Sequence, residues 1–286
     1  LTQLFGFAQL DFAGALAVAD GRYVVRDGAD ERVLVLETLG APPPPRRRRR
    51  ARPAAPDAER SLPLARATVV RASEPFPGES QAAHWLEETA AKEERVDRAI
   101  EEAVGVLNRA LHAHAAASGD PHPQAFSPQH AVVARLGYGS GEEVAGGGFT
   151  AAREVDPKAG ASRRRQRTEE LRPQERVAAV LGGRERLDAC ETLILRARAD
   201  LDAGREREAA LQLRVGLEAL LVELHGALAD PGHEEDMAAL EAQRHEAGEA
   251  ANAALHGDLD PTQLTSVRDL LELCERALRR RRILGG

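Results

Sequence analysis

At 286 residues and 30.8 kDa the chain is long enough for two modest domains, and an aromatic content of 3% requires their cores to be built from Leu, Val and Ala, which suits packed helices better than a β-sandwich. A formal net charge of -7 excludes a surface built wholly to grip a polyanion, and no apolar run approaches the roughly 18 residues that a membrane span needs. Cys190 and Cys274 are the only cysteines; their wide separation speaks against a disulfide scaffold and for a reducing, cytoplasmic setting.

All but two of the 39 basic residues are arginine, Lys92 and Lys158 being the exceptions, so GC-rich coding is a sufficient origin for arginine runs. The stretch Leu1–Leu10 has neither the basic start nor the long apolar segment of a signal peptide, and the absence of an initial Met leaves open whether the first residues are missing.

In chain order, apolar and β-branched runs broken by Asp20-Gly21 and Asp27-Gly28 predict a small β-meander with strands at Phe5–Phe12, Ala15–Ala19, Arg22–Arg26 and Arg32–Leu39. Ala41–Arg60, four prolines followed by five arginines and a Pro/Ala/Glu mixture, buries too little to order itself and reads as a flexible insertion. Strand character returns at Ala65–Ala72. Ser80–Ser118 then predicts one helix, with Trp85, Leu86, Val96, Ile100, Val104, Leu107 and Leu111 on its buried face. Ser127-Pro128 reads as a helix start leading into His130–Leu136, and Phe149–Val155 as a short helix. Lys158–Arg167 reads as a linker.

From Pro173 to Leu284 four or five helices are expected, with seams at Leu187, Cys190, Ile194, Ala197 and Leu201 and at Leu264, Val267, Leu271, Cys274 and Leu278. The intervening helix, Glu206–Leu228, carries too wide an apolar stripe for a surface helix. It is expected at the centre of the assembly.

The motifs carry little chemistry. Gly137-Tyr138-Gly139-Ser140-Gly141 lacks both the phosphate-loop and the nucleophile-elbow spacing and reads as a connecting turn. Glu241, His245 and Glu249 share one face of a predicted helix and vary the zinc-protease pattern, a carboxylate replacing the last histidine; in a Glu-rich chain a solvated face with i,i+4 contacts explains them better. His112, His114 and His122 diverge and read as surface histidines.

Ala197, Gly204, Ala209 and Gly216 stand where a tetratricopeptide repeat places its small residues, and the segment resembles one such repeat. Asp200 and Leu221 occupy its aromatic and terminal-proline positions, so an ordinary αα-hairpin is expected. Arg109 and His114 match the spacing of the HEPN-type RNase motif but lie outside the C-terminal helices. Arg46, Arg47, Arg48, Arg49 and Arg50, Arg163–Arg167 and Arg279–Arg282 are the phosphate-binding candidates, with no aromatic residue beside them to stack a base.

The expected fold is mainly α, α+β overall, in four parts. Residues 1–76 form a β-unit with a disordered Pro/Arg-rich insertion at about 41–61, 77–157 a helical middle region, 158–172 a linker, and 173–286 a C-terminal antiparallel helical bundle. The expected function is that of a non-catalytic protein-interaction or scaffold protein, without cofactor, that binds another protein and no membrane. The alternatives are a nucleic-acid-associated protein using its arginine segments and a metal-dependent or RNase-like hydrolase centred on His245.

Overall fold

The computed structural model describes residues 3–27, 30–40, 63–157, 174–227 and 229–284, so the expected insertion, the expected linker, Arg46–Arg50 and Arg163–Arg167 lie outside the described residues. The chain divides into two compact units, Leu1–Arg163 and Arg164–Gly286.

The first unit is built on a six-stranded antiparallel sheet of β1 (Leu4–Ala13), β2 (Gly21–Asp27), β3 (Asp30–Leu39), β4 (Leu64–Val70), β5 (Ala131–Ser140) and β6 (Ala151–Val155), ordered β2-β3-β4-β1-β5-β6. β1 lies in the interior of the sheet, paired with β4 and β5 rather than with β2. Its alternation places Ala8, Leu10 and Phe12 on one face, where they form one core with Leu34, Leu36, Ala67, Val69, Leu136 and the buried side of two helices. These are α1 (Glu79–Ala90) and α2 (Glu93–Ser118), which buries Val96, Ile100, Val104, Leu107 and Leu111. The single helix expected at Ser80–Ser118 is interrupted at Ala91 and Lys92.

Three further expectations are corrected. Ala15–Ala19 is not a strand: Gly14 turns the chain at φ +96°, and the Ala17 N–H and Ala15 carbonyl bond to the Gln124 side chain instead of to a neighbouring strand. His130–Leu136 is not a helix. Ser127-Pro128 opens only the 3₁₀ turn Pro128–His130, after which β5 sends Ala134, Leu136 and Tyr138 into the core at a period of two. Phe149–Val155 contains β6 rather than a helix. Residues 77–157 therefore complete the first unit and are not a separate helical region.

Glycine 137 shows why β5 carries so many glycines. A Cβ there would stand 2.4 Å from the Ala151 carbonyl oxygen and 2.6 Å from the Phe7 ring, so close strand approach, rather than a connecting turn, accounts for Gly137–Ser140. Ser140 caps the short α3 (Gly141–Ala145) through a reciprocal capping box with Glu143.

In the second unit, residues 174–181 are helical (α4) and are followed by α5 (Ala189–Asp202), α6 (Glu206–Glu223), α7 (Pro231–Ala242), α8 (Arg244–His256) and α9 (Pro261–Leu284). One core without a single aromatic ring joins Cys190, Ile194 and Ala197 of α5, Leu213, Leu217 and Leu220 of α6, Leu240 of α7, Ala250 and Ala254 of α8, and Leu271, Cys274 and Leu278 of α9. α6 packs against α5, α7, α8 and α9, yet Val215 and Val222 from its wide apolar stripe face solvent, as does Leu187 from the α5 pattern. The hairpin between α5 and α6 is close because its contact positions are small: Ala197 and Ala209 are fully buried, and a Cβ on Gly216 would lie 2.9 Å from Ile194 Cδ1.

Two substitutions test these packing arguments. Gly137→Val is expected to reach the upper end of the roughly 1–3 kcal/mol typical of overpacking, because the clash is with backbone, while Gly146→Ala, whose Cβ would meet nothing closer than 3.6 Å, changes stability by less than about 0.5 kcal/mol. Urea unfolding of the two variants measures the difference. Cys190 and Cys274 are buried, and burial first, aided at Cys190 by the Glu223 carboxylate, pushes each thiol up to about 12. Neither reacts with a bulky disulfide reagent in the native state, and both do in denaturant.

Candidate functional site

α7 ends and α8 begins at the same residue, Gln243, with φ -88° and ψ 0°. This break separates the candidate triad: Glu241 lies in the last turn of α7, whereas His245 and Glu249 lie on the opening turns of α8, so the three do not share one helix face. They line a groove of about 500 Å³ together with Arg214, Arg244, Gly248 and Asn252. Arg244 dominates it. Its Nε and Nη2 donate to the two Glu218 oxygens at 2.8 and 2.6 Å, and its Nη1 donates to Glu241 Oε1 at 3.1 Å. Arg214 also donates to Glu218, and these guanidinium groups hold the Glu218 carboxyl below its ordinary range, Arg244 contributing most.

Glu241 is thus committed to Arg244. The His245 side chain, 84% exposed, pairs among the described residues with Glu249 alone, at 3.4 Å. Among the described residues no group of three His, Cys, Asp or Glu side chains is placed to hold a metal ion. The arrangement is a solvated, charge-balanced groove; one histidine and one carboxylate, both exposed, lack the desolvated partner and third orienting group that general-base catalysis draws on.

The remaining candidates are dispersed. His114 and His122 are exposed and His112 is partly buried, with no shared site. Arg109 and His114, five residues apart on α2, project about 140° from one another around the helix. The Arg279–Arg282 run is largely consumed inside its own unit: Arg280 bonds to Asp236 and Asp230, Arg281 to Asp188, and Arg282 lies 3.8 Å from Glu191. Helix α9 uses these guanidinium groups as ties to α5 and α7, which leaves them poorly placed to bind phosphate.

The sheet holds a polar cluster that the sequence reading missed. On the β1 face opposite α1 and α2, Gln9, Asp11 and Thr68 are buried. The cross-strand register sets Glu37, Arg66 and Asp11 in one row and Thr68, Gln9, Arg135 and Glu154 in the next. Arg66 donates to both Asp11 oxygens, at 2.7 and 3.0 Å, and Arg135 donates to Asp11 Oδ2 at 3.1 Å and to Gln9 Oε1 at 3.3 Å. The Gln9 amide donates to Thr68 Oγ1 and to the Gly147 carbonyl, both at 3.0 Å, which fastens the loop after α3 across the sheet. Gly147 adopts φ +73° beside the Glu37 carboxylate, where a Cβ would stand 2.6 Å from Oε2. The signal in the sequence was the alternation of β1 itself, in which Phe5 and Phe7 share a face with Gln9 and Asp11.

In the second unit, His233 and Asp236 of α7 and Glu191 of α5 are buried polar groups of the same structural kind. His233 Nε2 lies 3.1 Å from the Leu224 carbonyl, while its Nδ1 has no hydrogen-bond partner among the described residues.

Burial alone would raise the Asp11 carboxyl; hydrogen bonds and charges from Arg66 and Arg135 outweigh it and hold the group below its ordinary 3.8. Because the folded carboxyl binds its proton less tightly than the unfolded one, its contribution to stability is whole above about pH 4 and fades as the pH falls below that. Asp11→Ala, which leaves two guanidinium groups facing an empty partly buried site, is expected to cost about 3–5 kcal/mol at neutral pH. Its acid limb of stability against pH should also be shallower than that of the unsubstituted chain; an identical limb would remove Asp11 from the acid response.

In comparisons with known proteins, no family model, no curated protein and no solved structure matches this chain, so the functional reading rests on the residues themselves.

Proposed function

We propose that this chain is a non-catalytic protein-interaction or scaffold protein, whose C-terminal helices, read as an antiparallel bundle, present the docking surface. One observation carries the reading. Of the large apolar side chains left exposed among the described residues, nine belong to the second unit, Val177, Leu181, Leu187, Leu195, Val215, Val222, Leu255, Ile283 and Leu284, against Val24, Val132 and Phe149 in the first. Single exposed leucines are ordinary, but this concentration on α4, α5, α6 and the ends of α8 and α9 has no counterpart in the core, which is complete without them. The groups able to do chemistry support the same reading from the other side: the groove around His245 is open and charge-balanced, and the buried carboxylates are tied to arginines.

The test is affinity capture with the full chain from a lysate of its source organism, followed by the same capture with a variant carrying Leu195→Asp and Val222→Asp. Neither side chain belongs to the core, so helicity and melting temperature should be kept, while recovery of a captured partner should fall at least about tenfold. Unchanged recovery would remove the helical unit as the docking surface. Salt-sensitive retention of RNA by the full chain would favour the nucleic-acid alternative, and RNA cleavage or bound zinc lost in His245→Ala the hydrolytic one.

A further inference from the structure

We infer that the surface formed by the end of α4, the segment 182–188 and the outer side of α5 docks an acidic amphipathic helix of a partner protein, an inference that rests on the interaction reading and names the chemistry of the partner. The apolar part is plain. Val177 is 54% exposed, Leu181 83%, Leu187 59% and Leu195 61%. Along α5, Ala189, Thr192, Leu195, Arg196 and Ala199 recur at three- and four-residue spacing and all are exposed, back to back with the buried Cys190, Ile194 and Ala197. In a chain with 46 acidic residues, this outward stripe has none.

The charges state which partner fits. Ion pairs within the unit consume nearly every acid of the stretch: Glu185 and Glu191 bind Arg176, Asp188 binds Arg281, Asp200 binds Arg205 and Asp202 meets Arg198. Glu175 is left over. On the basic side Arg184, Arg186 and Arg196 are exposed and their guanidinium groups make no ion pair or hydrogen bond among the described residues, although most arginines of this unit are committed. Each stands beside or within three residues of an exposed leucine: Arg184 near Leu181, Arg186 next to Leu187, Arg196 next to Leu195. Uncommitted positive charge around an apolar stripe complements a helix with an apolar seam and acidic flanks. The stripe from Ala189 to Ala199 runs about 15 Å, nearly three turns, which is the reach of anchors at i, i+3 or i+4, and i+7, and its alanines let a second helix approach closely.

Other occupants fit less well. A second copy placed by a two-fold axis would set this arginine set against itself. Nucleic acid would find no ring to stack on, since no Phe, Tyr or Trp follows Phe149.

The experiment uses the full chain and a fluorescent helical peptide with Leu at heptad a and d positions and Glu elsewhere. Its partners are the same peptide with Lys in place of Glu and a scrambled Glu/Leu peptide of equal composition. The Glu/Leu helix should bind in the micromolar range, weaken as salt rises, and exceed both controls at least about tenfold. The triple variant R184E/R186E/R196E, whose folding is checked by circular dichroism, should lose that preference and favour the Lys peptide; the double variant L187D/L195D should bind neither.

No binding of the Glu/Leu helix, equal binding of the Lys or scrambled peptide, or full binding by the charge-reversed variant overturns the inference. Sedimentation showing a dimer abolished by L187D/L195D assigns the face to a second copy, and polyuridylate binding abolished by charge reversal assigns it to RNA; either result also overturns it. A partner captured through Leu195 but indifferent to the three arginines would keep the interaction reading and remove only the acidic ligand.

Discussion

A single buried carboxylate organises one side of the sheet. Asp11 sits on β1, flanked by the strands on both sides, and takes one guanidinium from each, Arg66 of β4 and Arg135 of β5. Strand register follows from this: shifting either neighbour by one residue would turn its arginine to the opposite face and leave Asp11 buried with one counter-charge fewer. Gln9, two residues earlier on the same face, spans from Thr68 to the Gly147 carbonyl, so the α3 loop is attached at the point where the strands are already locked. The apolar remainder of that face, Phe7 and Val70, forms a small core with Val144 of α3 beside the polar one.

The helical unit repeats the device with the signs exchanged. There the arginines are concentrated on α9 and the carboxylates are distributed among its neighbours: Asp236 receives Arg276 and Arg280, and Asp188 receives Arg281, while one pair runs the other way, Glu275 of α9 receiving Arg198 of α5. Glu223 at the end of α6 accepts from the Ala189 and Cys190 amides and so caps the neighbouring α5. A core of Leu, Ala and two thiols offers few shapes that interlock uniquely, and directional guanidinium forks supply orientation that such a core cannot. This is why an arginine-rich helix end that looks like a phosphate grip in the sequence is engaged internally.

What could be read in advance follows the range of the interactions. An N-terminal sheet followed by helices was legible from local periodicity, and so were the buried positions Ile100, Leu107, Ile194 and Leu271. The order of the strands was not, because nothing in β1 says that it pairs with β4 and β5 across 51 to 136 residues of chain rather than with β2. β5 was misread because Ser127-Pro128 is a good helix start and its helical signal is local, whereas the sheet that claims Ala131–Ser140 is not. At the candidate site the residue types around His245 were visible, but the break at Gln243 that separates Glu241 from them depends on packing against α6 and the Arg244 clamp. The partnership of Asp11 with two arginines far along the chain had no local signature at all.

The short gap between α1 and α2 has a chemical consequence. Lys92 stands there as the residue preceding α2, and with Lys158 it makes up the whole complement of lysines. The surface is therefore nearly silent toward reagents and enzymes that act on side-chain amines, whether cross-linkers, acyl donors or ubiquitin-transfer systems. Its basicity is carried by guanidinium groups that stay charged at any physiological pH, so modification of this protein at lysine amounts to modification at the α1–α2 junction or at Lys158.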